Sequence, residues 1–328
     1  MFEAILLIVI FIVSVFFLFK GAQYLVQGSS DFARWLGISP IMVGLTIVAL
    51  GTSMPEFAIS MFSLFTHNTD LAFATIIGSN IFNLAAIVGI CALISPLRVK
   101  ATTLLYEFPF LIVSSFLLPI LTNDFFLYGD PALLLGRIDG LILFVMLGIF
   151  LYYIYASRKV QGKEVDDEFD AEYKHTRAVW KDVGKIVLGF LGLFIGGLLF
   201  TGYMVQLIDV LDLSSSFLGL TLAALATSVP ELVTAITAVR RNHVDVALGD
   251  VIGSSVFNIL FVVGSTSLIR PFYINKEILQ LDVMVMIFVT LLFVIFATRK
   301  KQISKANGFV LLMVYLGYMG WVVWRYVG

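Results

Sequence analysis

Apolar residues run along this chain in long unbroken blocks, separated by short stretches of charged or turn-forming residues. The blocks are continuous rather than alternating, so the pattern predicts helices and not the strands of a barrel. Each is long enough, at about 20 residues, to cross the hydrocarbon core of a bilayer. Ten spans are expected, at 3–26, 41–64, 72–95, 103–122, 133–156, 183–206, 217–239, 247–269, 280–298 and 307–326. The first, MFEAILLIVIFIVSVFFLFK, has neither a basic start nor a small-residue cleavage site, and reads as a retained helix rather than a removed signal peptide.

Composition agrees with this pattern. The chain is 60% hydrophobic and only 13% charged, with a mean hydropathy of +1.00. A soluble protein of 328 residues needs more polar surface than that. A net charge of -1 argues against nucleic acid as a partner. Cys91 is the single cysteine, so no intrachain disulfide framework exists. The partner is the lipid bilayer; no obligate protein partner is evident, and a functional monomer is expected.

Lysine and arginine orient the spans. One set of connections carries sixteen of them, from Lys20 and Arg34 through Arg158 and Lys159 to Lys301 and Lys305. The opposite set carries four: Arg137, Arg270, Lys276 and Arg325. That bias predicts a multi-pass cell-membrane protein with both termini outside and the central loop in the cytoplasm. The loop, residues 157–182, mixes charges of both signs and is expected to be a solvated linker. It divides a first transmembrane unit, 1–156, from a second, 183–328.

A shift of 175 residues superposes the chain on itself. Residues 44–96 align with 219–271 without a gap, with 21 of 53 positions identical. The motifs GTSMPE and ATSVPE fall together, and so do IIGSNIFN and VIGSSVFN. Five spans separate the copies, so the second enters the bilayer from the opposite face. The expected fold is therefore all-α and polytopic, with ten transmembrane helices in two inverted-topology repeats of five. Such repeats mark secondary transporters with a site near the midplane.

The polar residues inside these repeats carry the chemistry. Glu56 and Glu231 lie near the middle of spans 2 and 7, where an ionisable group is a functional hypothesis by default. Thr52 and Ser53, four and three residues earlier, share a helical face with Glu56; Thr227 and Ser228 do so with Glu231. Pro55 and Pro230 have no N–H to give the carbonyls of Gly51 and Ala226. Freed carbonyls are tolerated in a membrane where they line a cavity.

On the partner spans, Ser79 and Asn83 share one face, as do Ser254 and Asn258. The serines act either as ion ligands or as donors to their own helix. Gly78 and Gly253 permit close helix approach. Asn80 and Ser255 lie off the polar face, where helix–helix bonding is expected. Asp250 is expected near the cytoplasmic N-terminus of span 8, favouring the helix dipole, with a role in ion access as the alternative. Carboxylates, hydroxyls, amides and carbonyls without histidine or thiol make an all-oxygen set, which suits hard cations such as calcium.

With these motifs in view, the chain resembles the calcium/cation antiporter superfamily, in its prokaryotic sodium/calcium exchanger-like branch. GTSMPE with IIGSNIFN is similar to the first alpha repeat, and ATSVPE with VIGSSVFN to the second. The resemblance implies that Glu56 and Glu231 are central calcium ligands, joined by the carbonyls of Thr52 and Thr227. It implies sodium sites at Ala224, Ser254 and Glu231 on one side and at Ala49, Ser79 and Glu56 on the other. Asn83 and Asn258 flank the middle, and Asn258 stands where some members carry aspartate. Spans 1 and 6 would be long sliding helices, with Gly21 and Gly196 at equivalent positions.

The function expected is secondary active exchange of calcium for sodium by alternating access, without enzyme activity or a resident cofactor. Protons in place of sodium are the near alternative. A cation channel fits an inverted repeat poorly.

Overall fold

The computed structural model describes residues 2–36, 40–65, 68–122, 133–166, 179–209, 217 and 219–327. It is nearly all helical. Helix α1 is Phe2–Leu36. It is followed by α2 (Ile41–Phe65), α3 (Thr69–Ile94), α4 (Ala101–Leu121) and α5 (Arg137–Asp166). After the centre come α6 (Val179–Asp209) and α7, a bent pair Leu220–Thr227 and Val229–Arg240. The chain ends with α8 (Val244–Ile269), α9 (Ile278–Lys300) and α10 (Lys305–Val327).

Among the described residues, eight helices are long and apolar enough to cross a membrane, and α7 makes nine when its two halves count as one span. The 35 residues of α1 pack along α6. The central segment is shorter than its charge pattern suggests, because α5 continues to Asp166 and α6 begins at Val179; 167–178 lie outside the described residues.

Burial separates the helices into a centre and a periphery. In α3 and α8, 89% and 94% of the membrane window is buried, against 39% in α6 and 28% in α10. The polar residues of IIGSNIFN and VIGSSVFN therefore lie on the two innermost helices. Large apolar side chains on the periphery, such as Phe16, Leu188 and Phe288, face outward as a lipid-exposed surface requires.

The same contacts occur at positions 175 residues apart. A Cβ built on Gly21 would lie 2.6 Å from the Leu193 nitrogen, and one on Gly196 would lie 2.8 Å from that of Leu18. Backbones of α1 and α6 thus touch at two matched places, through glycine alone. Asn80 donates to the carbonyl of Ser255 at 3.2 Å, and the hydroxyls of Ser115 and Thr290 stand 3.4 Å apart. Each of these pairs joins a residue to its own counterpart.

Short strands close the helix ends: β1 (Leu97–Arg98), β2 (Leu134–Leu135), β3 (Phe272–Tyr273) and β4 (Gln302–Ile303). β1 pairs antiparallel with β4, and β2 with β3. Two residues per strand are too few to leave a period in the sequence.

Candidate cation site

Both motif helices break at the serine before the proline. Ser53 has φ -78° and ψ 2°, Ser228 has φ -87° and ψ 7°, and the two parts of α7 meet at 49°. The physical cause is proline: its ring displaces the carbonyl four residues back, and its nitrogen cannot donate to it. Glu56 and Glu231 consequently stand in the first turn of the segment beyond each break, Met54–Phe65 and Val229–Arg240. A first turn offers the positive end of the helix dipole to a carboxylate. Both side chains are completely buried.

Two glycines decide what faces each break. A Cβ on Gly78 would lie 2.7 Å from Ala224 Cβ and 2.8 Å from the Leu220 carbonyl oxygen. A Cβ on Gly253 would lie 2.6 Å from Ala49 Cβ and 2.7 Å from the Leu45 oxygen. So α3 crosses α7, and α8 crosses α2, each at backbone contact. Gly197 of α6 lies over both breaks, where an added Cβ would sit 3.3 Å from the Pro55 ring and 3.5 Å from that of Pro230.

This crossing corrects the grouping of carbonyls and serines. Ser254 goes with Ala49, not Ala224: its hydroxyl is 3.5 Å from the Ala49 oxygen and 3.1 Å from Thr52 Oγ1. Ser79 goes with the second motif, its hydroxyl 2.7 Å from Ser228 Oγ. Ser79 and Ser228 both donate to Glu56 Oε1 at 3.1 Å. Thr227 Oγ1 turns back to the Ala223 carbonyl at 3.0 Å.

Asp250 also differs from expectation. Helix α8 starts at Val244, earlier than the apolar run suggests, so Asp250 lies in its second turn and is fully buried. It caps nothing. Its Oδ1 accepts from Thr52 Oγ1 at 3.0 Å and from Ser254 Oγ at 3.4 Å. The acid of the first turn is Asp245, paired with Lys100 at 3.1 Å.

The asparagines sit where α3 and α8 loosen into π turns, Phe82–Ile87 and Asn258–Val263. Such turns leave backbone groups without their usual partners and recur at functional sites. Asn258 Nδ2 donates to Ser79 Oγ at 3.2 Å and to Asn80 Oδ1 at 3.1 Å. Asn80 bonds between helices as expected, whereas the Ser255 hydroxyl donates within its own helix, to the Val251 carbonyl at 2.9 Å.

Several buried polar atoms lack any hydrogen-bond partner: both carboxylate oxygens of Glu231, Oε2 of Glu56, Oδ2 of Asp250, Oδ1 of Asn258, both side-chain ends of Asn83, and Ser53 Oγ. Unpaired buried oxygens are costly, and native proteins hold few of them. Their concentration around one pair of helix breaks fits a site whose oxygens complete their coordination with a cation. Ser60 and Thr234, a turn beyond each glutamate, are buried and unpartnered as well. Sequence reading passed over them, although their four- and three-residue spacing from Glu56 and Glu231 places them on the same face.

The sequence pattern of the sodium/calcium exchanger protein family matches residues 6–156 and 182–324. The sodium/calcium exchanger MaX1 of Methanosarcina acetivorans is 29% identical over 94% of this chain and 96% of its own. The inner membrane protein YrbG of Escherichia coli K12 is 29% identical over 95% of each. Among solved structures, the sodium-calcium exchanger NCX_Mj soaked with 10 mM Na+ and no Ca2+ superposes with a TM-score of 0.80. Identity there is 26%, over 96% of this chain and 98% of that one. A match over nearly the whole length, on a multi-pass helical membrane protein with an oxygen-lined centre, settles the kinship: this chain belongs to the sodium/calcium exchanger protein family.

Proposed function

We propose that the protein exchanges calcium for sodium across the membrane by alternating access. The observation that carries this reading is the buried pair Glu56 and Glu231, set at two helix breaks amid hydroxyls and carbonyls, with three of their four carboxylate oxygens unpartnered. Among the described residues no lysine, arginine or histidine forms an ion pair with either glutamate. Two carboxylates without counter-charge balance one divalent cation, and calcium takes six to eight oxygens at about 2.3–2.6 Å. Thr52 and Thr227 carbonyls, Ser79, Ser254, Asn83, Asn258 and the carbonyls of Ala49 and Ala224 are the remaining candidates for the shell. The same oxygens binding sodium when calcium leaves would couple the two fluxes.

In this reading the chain forms ten spans, two inverted repeats of five helices, with both termini outside. The proline breaks let each half-site open to one face while the other closes. Helices α1 and α6, joined at backbone contact, with α6 lying over both breaks, are the body that slides.

Purified protein in sealed vesicles tests the reading. Calcium uptake should require an outward sodium gradient, and potassium should not replace sodium. Uptake without any counter-gradient would identify a channel, and uptake driven by protons alone would replace sodium by protons in the same site.

A further inference from the structure

A second cavity, which the exchange site does not use, lies at one end of the bundle. There the membrane window of α3 stops at Ile94 and that of α8 begins at Val244. The cavity measures about 440 Å³, within the range that holds small-molecule ligands. Three pieces of chain wall it: the Ser95–Arg98 segment that leads into β1, the turn between α7 and α8, and Gln302 of β4. Arg98 and Gln302 are register partners across β1 and β4, so their side chains share one face of the ribbon.

The walls are cationic and rich in donors. Segments 95–100, 240–245 and 299–305 carry two, two and four lysines and arginines, eight in all, against one acid, Asp245. Asp245 is itself held by Lys100 at 3.1 Å. Asn242, with φ 61°, makes the tight turn into α8. Val244 and Asp245 then open that helix, where the first N–H groups have no acceptor within it, and His243 gives them no side-chain cap. An arginine fork beside a helix start suits phosphate, which accepts parallel N–H bonds from the one and is favoured by the dipole of the other.

The corresponding place at the opposite end of the bundle lacks this chemistry. The 175-residue correspondence carries Arg98 to Tyr273, Lys100 to Asn275, and Arg240 and Arg241 to Phe65 and Thr66. Tyr273 pairs with Leu134 across β3 and β2. A bias of basic residues toward one face orients a membrane chain, but that bias alone requires no cavity.

We propose that this cavity binds a phosphate group, carried by a lipid headgroup or free in solution, through Arg98, Gln302 and the opening turn of α8. The bound group ties the end of α3 to the start of α8, the two helices that carry Ser79, Asn83, Ser254 and Asn258. Occupancy thus steadies the frame on which the cation site is built.

The test uses the full-length protein in neutral detergent without calcium and reads its melting temperature, which depends on neither transport nor the identity of the exchanged ions. Potassium phosphate is compared with potassium chloride at equal ionic strength, and dioctanoyl phosphatidic acid with dioctanoylglycerol. At least one phosphate-bearing probe should raise the melting temperature over its control by about 2 °C or more. The concentration giving half the effect should rise at least about tenfold in Arg98→Gln and in Gln302→Glu. It should stay within about twofold in Arg270→Gln, which removes a charge from the opposite end of α8.

A response to inorganic phosphate with this variant pattern supports the site and makes the free anion a sufficient ligand. The same pattern with phosphatidic acid alone supports the site and assigns it to a lipid headgroup. No rise with either probe overturns it. So does an equal response in the unmodified protein, Arg98→Gln and Gln302→Glu, which would mark diffuse attraction to the basic face. Should Arg98→Gln not fold, Gln302→Glu carries the comparison.

Discussion

The two halves of the site share the letters T-S-x-P-E, yet their glutamates stand in different surroundings. Glu56 Oε1 receives hydrogen bonds from Ser79 and Ser228. By the 175-residue correspondence Glu231 should receive the same from Ser254 and Ser53. It receives neither: Ser254 turns to Asp250 and Thr52, and Ser53 Oγ has no partner. The difference comes from the facing helix, where the first repeat has Thr75 and the second Asp250. A carboxylate at that place draws the Ser254 and Thr52 hydroxyls to itself, so Glu231 lacks the donor that Ser79 gives Glu56. Matching motifs thus make unequal half-sites, and a single residue four positions before Ser254 accounts for the share of the inequality that Ser254 carries.

Removing the charge itself should have the largest effect. Glu231→Gln and Glu56→Gln should each lower calcium flux in vesicles by at least 100-fold, equivalent to about 2.7 kcal/mol. Retention of flux by either variant would remove the glutamate pair as the ion site. The glycine crossings come next. Gly78→Ala and Gly253→Ala each push a methyl against backbone at 2.7–2.8 Å, and each should destabilise the protein by about 1–3 kcal/mol. Melting in detergent should show similar losses for the two, since the packing is matched even where the charges are not.

Serine substitutions divide the halves more finely. Ser228→Ala removes a donor to a buried carboxylate and should weaken calcium binding by about 1–2 kcal/mol, roughly tenfold. Ser53→Ala, at the corresponding place, removes a hydroxyl without a partner and should change calcium affinity less than threefold, as measured by titration of uptake. Equal effects would mean that the inequality is not a property of the binding-competent protein. Asn80→Ala deletes the bond to the Ser255 carbonyl and the one accepted from Asn258, and should cost about 1–2 kcal/mol of stability, read from melting in detergent.

Much of this was legible in the sequence, for identifiable reasons. The nearly all-helical, multi-pass character follows from run length, because a helix satisfies its own backbone groups inside a bilayer. Glu56 and Glu231 stand out because charge is so costly in that setting. What escaped depends on contacts between residues far apart in the chain. That Ser254 meets Ala49 follows from Gly253 packing on Leu45 and Ala49, which no local pattern records. The depth of Asp250 depended on where α8 begins. Val244 and Asp245 read as loop residues because the flanking Arg241 and His243 interrupt the apolar run, while the structure starts the helix immediately after His243. The π turns at Asn83 and Asn258 leave no sequence period of their own.

The contacts between counterparts, Asn80 with Ser255 and Ser115 with Thr290, have a use in spectroscopy. If inward and outward states arise when the two repeats exchange conformations, the distance between residue i and residue i + 175 maps onto itself and is the same in both. Distances between unrelated positions carry no such constraint. Probes at a counterpart pair therefore form a built-in ruler of fixed length, and movement along it during transport would register only the occluded intermediates between the end states.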